Sequence, residues 1–340
     1  MNMLARYQPQ WIREDFVDFV LEQVNPMWSW KKAKAQVVAV EAVAPDFYQV
    51  SLLPNTHFNT QQIRAGQSLL VTLVLEGVHQ QRSYSIMRSH PNGQIDLGVK
   101  VQGKVSRAMS QLNVGQVIEI SQPQGDFILA PAANRVLLIA SGSGITAIYA
   151  LLEQALRQQS EQIDVVYFTR DDAFHAMLQQ VADQHETVRY HHINTAQQPQ
   201  HLSLDFLNQR ISDLAQCQVY ACGASAMMHA ADDIFTQLGC RDKLHMEYFQ
   251  TQVDESLEAQ PVTFMRAQQQ FEARGNLLES AEQAGLRPAH GCRMGICNTC
   301  TCTKVSGSTK NILTGEIDHG SNTQIKLCVS QAVSPVVINL

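Results

Sequence analysis

Four cysteines near the C-terminus carry the sharpest chemical pattern in the chain. Cys292, Cys297 and Cys300 stand as C-x4-C-x2-C within Ala289-His-Gly-Cys-Arg-Met-Gly-Ile-Cys-Asn-Thr-Cys, and Cys328 follows 28 residues after Cys300. Three thiolates from one short loop and a fourth from a distant segment match the ligand spacing of a [2Fe–2S] cluster. Gly291 and Gly295 permit the backbone bends that such a loop requires. A four-thiolate zinc site ordinarily uses two close cysteine pairs, and a lone fourth cysteine after so long a gap does not supply the second. Cys302 lies two residues beyond Cys300 on an expected strand and should face away from the cluster.

Two turns have the chemistry of anion binding. Gly103-Lys104-Val105-Ser106 opens a helix expected near Val105–Leu112, and Ser141-Gly142-Ser143-Gly144-Ile145-Thr146 leads from the apolar run Val136–Ala140 into a helical stretch. At each, unpaired N–H groups and the helix dipole favour a phosphate. Cys222 and Gly223 end the run that starts at Val219. An isolated buried cysteine is commonly structural, but the C-terminal end of a parallel strand is where ligands bind in such sheets.

The surrounding pattern divides the chain into an arm and three units. Residues 1–34 hold all three tryptophans, and Ile12, Phe16, Phe19, Val20 and Val24 recur at helical spacing, which predicts an amphipathic helix packed on the neighbouring barrel. From 35 to 130, short β-branched segments broken by Pro, Gly and Asn predict an antiparallel β-barrel. From 131 to 249, apolar runs alternate with helix-length stretches, as in a Rossmann-like α/β parallel sheet. Residues 250–260 read as an acidic linker, and 261–340 form a last small unit.

Composition limits the partners. With 340 residues and 45% hydrophobic content, each unit can bury a core. The last unit holds seven basic and five acidic residues and the rest eighteen and twenty-six, so a net −8 precedes residue 261 and +2 follows it. No basic run exists to neutralise a track of phosphates, which argues against nucleic acid. No stretch is long and apolar enough for a membrane span, and Glu14, Asp15 and Asp18 interrupt any signal-peptide core, so a cytoplasmic protein is expected.

The last unit, with Leu277-Leu278-Glu279-Ser280-Ala281-Glu282 before the cysteine loop and Leu327-Cys328-Val329 after it, resembles a plant-type ferredoxin and implies an α+β β-grasp fold. Arg82-Ser83-Tyr84-Ser85, Gly103-x-x-Ser106 and Pro123-Gln-Gly125-Asp-Phe127 resemble the flavin barrel of the ferredoxin–NADP reductase superfamily. That resemblance implies FAD, with Tyr84 on the isoalloxazine, Ser85 near its N5 and Arg82 on the phosphates. The turn from Gly142 to Thr146 is similar to the family's G-x-G-x-T-P nucleotide turn, with Ala147 where proline is usual. Cys222-Gly223 resembles the segment whose cysteine lies near the nicotinamide, and Glu247-Tyr248-Phe249 the ending in which an acid and an aromatic approach the flavin. In Thr169-Arg170-Asp171-Asp172, Arg170 suits a 2′-phosphate and either aspartate a bare ribose, and the reading favours NADPH over NADH.

Together the motifs imply an NAD(P)H:acceptor oxidoreductase in which flavin and cluster convert a two-electron hydride into single electrons. The arm, with Trp11, Phe16-Val-Asp-Phe19 and Asn25-Pro-Met-Trp28-Ser29, resembles reductases serving membrane di-iron fatty acyl desaturases or hydroxylases. Lys31, Lys32 and Lys34 would then meet anionic lipid at the inner membrane face. The same cofactors also serve soluble Rieske-type oxygenases, and a flavin and iron–sulfur redox sensor is the alternative from another class.

Overall fold

The computed structural model describes residues 14–249, 253–254 and 256–340; Trp11 and Ile12 of the arm lie outside the described residues. Helix α1 (Glu14–Val24) leads into a closed antiparallel barrel of β1 (Lys34–Ala44), β2 (Phe47–Pro54), β3 (Ser68–Leu75), β4 (Val78–Ser89), β5 (Ile95–Lys100) and β6 (Val117–Ile120), ordered β1-β2-β5-β4-β3-β6. Helix α2 (Lys104–Ser110) crosses between β5 and β6. Strand β4 is long because Glu76 and Gly77, both at positive φ (53° and 76°), close a tight hairpin with β3.

The arm corrects the sequence expectation. Phe16, Phe19, Val20, Val24, Trp28 and Trp30 are all exposed instead of packed on the barrel. Polar ties hold the segment in place. Buried Lys34 donates to Glu22 at 2.7 Å and to the carbonyls of Pro26 and Trp28 at 3.0 and 2.9 Å, and buried Asp18 accepts from the Trp30 N–H at 2.6 Å. A buried ammonium must find such partners, and here the arm supplies them.

The second unit is a five-stranded parallel sheet of β7 (Arg135–Ser141), β8 (Gln162–Thr169), β9 (Val188–Asn194), β10 (Gln218–Cys222) and β11 (Leu244–Glu247), ordered β11-β10-β7-β8-β9. Helices α3 (Ile145–Arg157), α4 (His175–Gln184), α5 (Leu204–Asn208) and α6 (Ser225–Gln237) connect its strands. Barrel and sheet share one buried interior, in which Phe47 and Met87 join Phe127, Ile148 and Leu151.

The third unit contains β12 (Gln260–Phe264), β13 (Gln269–Ala273), α7 (Leu277–Gln283), β14 (Thr301–Ser306), β15 (Thr309–Asn311), β16 (Ile317–Asp318), β17 (Thr323–Lys326), β18 (Ser330–Ala332) and β19 (Val336–Ile338). Its main sheet is ordered β13-β12-β19-β14-β17, with β12 and β19 parallel and the other pairs antiparallel, and β16-β15-β18 form a small second sheet. Asn276 caps α7 by accepting from the Glu279 N–H at 2.9 Å, and the helix buries Leu277, Leu278 and Ala281. At the described end of the preceding linker, Asp254 accepts from Lys310 at 2.8 Å.

Candidate active site

Strands β3 and β4 set the floor of a cavity of about 460 Å³. Ser68 pairs with Ser85, Leu69 with Tyr84 and Val71 with Arg82, which brings the Arg82–Ser85 motif to the cavity wall. Gly103, Lys104, Val105 and Ser106 line a second wall, and Ser143, Thr146 and Phe249 a third. The fourth comes from the C-terminal unit, with Glu279, Cys292, Arg293, Met294 and Ile296. Segments more than 200 residues apart in sequence therefore enclose one space.

The wall of the cavity holds buried hydroxyls without partners. Ser68 Oγ, Ser83 Oγ, Tyr84 OH and Ser85 Oγ have no hydrogen-bond partner among the described residues. Native interiors satisfy such groups, so four orphans together suit a polar ligand such as a flavin ring. Burial raises the Tyr84 hydroxyl further above its ordinary range, keeping it neutral. Burial, with Arg293 nearby, lowers the Arg82 guanidinium from its usual value. Ser106 behaves differently from the other hydroxyls, because its Oγ accepts from the Gln102 and Gly103 N–H groups, both at 2.9 Å, and so braces the turn.

The nucleotide turn is shaped by close packing. Gly142 has φ +51°, in the left-handed region. Gly144 has no such need, but a Cβ there would lie 2.0 Å from the Cys222 carbonyl oxygen, and one on Gly223 would lie 2.1 Å from Ser141 Oγ. The turn after β7 and the end of β10 are thus pressed together, and Ser141 Oγ accepts from the Ala224 N–H at 2.7 Å. Cys222 is fully buried and Glu247 nearly so, paired across β10 and β11. Burial pushes the Glu247 carboxyl up to about 8, its Oε2 has no partner among the described residues, and burial followed by Glu247 raises the Cys222 thiol. Cys222, Gly223, Glu247, Gly142 and Gly144 do not line the cavity.

At the end of β8, Arg170 is exposed and has no ion-pair partner among the described residues. Asp171 accepts from Thr169 Oγ1 at 3.1 Å and the Ala173 N–H at 3.2 Å, and lies 3.8 Å from Lys100. Asp172 accepts from Asn194 at 3.3 Å.

The cysteines come as two pairs. The Cys292 N–H points at Cys297 Sγ (3.3 Å) and the Cys297 N–H at Cys292 Sγ (3.2 Å), while Cys300 and Cys328 have their sulfurs 3.3 Å apart. No three His, Cys, Asp or Glu side chains among the described residues converge on one ion, whereas two iron atoms each need one pair. All four thiols are buried without a disulfide, so the donor set fits a [2Fe–2S] cluster. Gly295 has φ +77° as expected, but Gly291 serves by proximity, since a Cβ on it would lie 2.9 Å from Cys297 Sγ. Arg293 adopts φ +60° and pairs with Glu282, and Lys326 donates to the Gly295 carbonyl at 2.5 Å. Cys302 lies in the hydrophobic core of this unit.

Sequence reasoning gave no site role to Ser68, Ser83, Gly98, Lys100, Gln102 and Ser143, nor to any cavity residue of the C-terminal unit except Cys292. The cross-strand register that brings Ser68 to Ser85 and the docking of one unit on another leave no mark in local sequence.

Comparisons with known proteins identify the domains that surround this cavity. Residues 34–128 match the oxidoreductase FAD-binding domain, 138–233 the oxidoreductase NAD-binding domain and 262–333 the 2Fe-2S iron-sulfur cluster binding domain. The chain is 28% identical over 339 residues to an NADPH oxidoreductase of Mycobacterium tuberculosis, covering 95% of this chain and 88% of that one. It is 25% identical over 317 residues to phthalate dioxygenase reductase of Burkholderia cepacia, covering 90% and 96%. The solved structure of a phthalate dioxygenase reductase superposes with a TM-score of 0.66 at 25% identity, over 90% of this chain and 97% of that one. Three such domains in this order define an NAD(P)H-dependent oxidoreductase that uses FAD and a [2Fe–2S] cluster. The chain belongs to the ferredoxin–NADP reductase-type flavin reductases that carry a C-terminal 2Fe-2S domain.

Proposed function

We propose that the chain takes hydride from NAD(P)H and delivers single electrons from its cluster to an oxygen-activating iron enzyme. The shared cavity carries this reading, because residues of the flavin motif and of the cluster loop line the same space. When bound, FAD takes up the two electrons of a hydride together and yields them singly, and the cluster carries one at a time.

The chain's own residues have distinct tasks in this scheme. Tyr84 offers a neutral aromatic face, and Ser85 and Ser68 hydroxyls free to bond the flavin ring. Arg82 and Lys104, with the N–H groups of Gly103 to Ser106, offset the flavin phosphates. The turn from Gly142 to Thr146 holds the pyrophosphate of the nicotinamide nucleotide, and Gly223 leaves it room. Phe249 covers the flavin side, while Cys222 and a protonated Glu247 back the nicotinamide with uncharged groups. Arg170 is free for a 2′-phosphate while both aspartates are engaged, which supports NADPH. Cys292 with Cys297, and Cys300 with Cys328, each hold one iron. The units that divide this work are 35–130, 131–249 and 261–340, joined by a linker over 250–260.

Two acceptors remain in view. The exposed apolar side chains of the arm favour a membrane-bound di-iron desaturase or hydroxylase, with peripheral contact at the bilayer. The similarity to phthalate dioxygenase reductase supports an oxygenase partner, for which we keep the soluble Rieske-type reading. NADPH-driven cytochrome c reduction tests the electron route: Cys297→Ser should abolish it while the flavin is still bleached, and loss of both together would contradict the route. Sedimentation with phosphatidylglycerol vesicles, lost in a Phe19→Ser/Trp28→Ser variant, separates the membrane acceptor from a soluble one.

A further inference from the structure

The barrel and the nucleotide helix α3 share an apolar seam, in which Phe47 and Met87 meet Ile148 and Leu151, and two further contacts flank it. Near the cavity, Gly98 of β5 abuts Thr146, where an added Cβ would lie 2.2 Å from the Thr146 methyl. Farther along α3, Arg88 of β4 reaches across the boundary. Its Nε donates to Glu153 Oε1 at 2.7 Å, an Nη donates to the Tyr149 hydroxyl, and its guanidinium carbon sits 5.0 Å from the Tyr149 ring centroid. Arg88 and Glu153 are largely shielded, with side-chain exposures of 29% and 22%.

Both ends of this link lead to the reacting groups. Arg88 stands three residues after Ser85 on the same strand, past a register shift between Ile86 and Arg88. Tyr149 and Glu153 stand three and seven residues after Thr146, one and two turns along one face of α3. The apolar seam of Phe47 and Met87 on Ile148 and Leu151 presses the helix to the barrel without directional bonds, whereas the Arg88 contact, roughly 10 Å along α3 from Thr146, adds directional ones.

We infer that Arg88 is a positioning residue: through Glu153 and Tyr149 it fixes the nucleotide turn relative to the flavin strand, and so sets the nicotinamide against the flavin. This rests on the roles proposed above for Ser85 and for the turn from Gly142 to Thr146. A planar guanidinium that bonds in two directions and lies on a ring specifies orientation, which a single-point ammonium does less well. Orientation of reacting groups governs hydride transfer more steeply than it governs binding.

The test uses the FAD-loaded, cluster-containing protein. Wild type, Arg88→Gln, Glu153→Gln, the double variant and Arg88→Lys are mixed anaerobically with NADPH, and flavin bleaching is followed rapidly. The long-wavelength absorbance of nicotinamide stacked on flavin is recorded as well. For Arg88→Gln the limiting rate should fall about 10- to 100-fold and the stacking absorbance should weaken, while the NADPH concentration at half-maximal rate changes less than about threefold. The double variant should be no slower than the slower single one, because both remove one contact, and Arg88→Lys should recover part of both signals. Unchanged limiting rate and absorbance beside a lowered melting temperature would overturn the inference and leave Arg88 a structural tie. Should Arg88→Gln misfold or lose FAD, Glu153→Gln decides between the same two outcomes, since it keeps Arg88 and the backbone. Failure of both NADPH and NADH to bleach the wild-type flavin would overturn the underlying functional reading instead.

Discussion

Among single residues, Glu247 makes the strongest physical statement. Burial alone raises its carboxyl to about 8, so it is mostly protonated at neutral pH. The folded chain then holds a proton that the unfolded chain releases at about 4.5, so stability falls as pH rises through the window from about 4.5 to about 8. Glu247→Gln keeps the shape without the titration. It should remove a slope of up to about 1.4 kcal/mol per pH unit, read from urea unfolding between about pH 5 and about pH 8. Equal slopes in both proteins would mean that the carboxyl ionises freely in the folded state. The position of this residue was legible from the Glu247-Tyr248-Phe249 ending, but its neutrality was not, because the burial comes from pairing β11 on β10. Ser68 escaped notice for a related reason: only the register of β3 on β4 places it opposite Ser85.

At the scale of elements, turns and strands were more legible than what their faces meet. β-Branched runs and Gly, Pro and Asn punctuation located the barrel strands, and the strand-turn-helix pattern located β7 and α3. The arm was misread because periodicity states which residues share a face and not what that face touches. The buried Lys34 and its ties to Glu22, Pro26 and Trp28 decide the matter, and they depend on folded geometry. The nucleotide turn gives a sharper lesson, since Gly142 answers to backbone conformation and Gly144 to packing on Cys222. Gly144→Ala should therefore cost about 1–3 kcal/mol of stability through overpacking and raise KM for NADPH. Thermal unfolding and steady-state kinetics measure both, and wild-type stability in this variant would show that the turn does not press on Cys222.

For the whole molecule, the central feature is that the C-terminal unit completes a cavity begun by the barrel and the parallel sheet. The four-cysteine pattern and the Arg82–Ser85 motif could each be located in the local sequence, whereas their meeting could not. Met294 and Ile296 pack with Leu70 of β3 beside Cys292 and Cys297, so the cluster loop rests on the flavin barrel itself. Such contact predicts electron transfer within the isolated chain, with no acceptor present. The most direct test is anaerobic titration of the purified protein with NADPH, following flavin and iron–sulfur absorbance together. Three electrons fill one FAD and one [2Fe–2S] cluster, so bleaching of the flavin followed by the cluster bands, with an endpoint near 1.5 equivalents of NADPH, is the expected result. An endpoint near 1 equivalent, with the flavin bleached and the cluster bands intact, would contradict it.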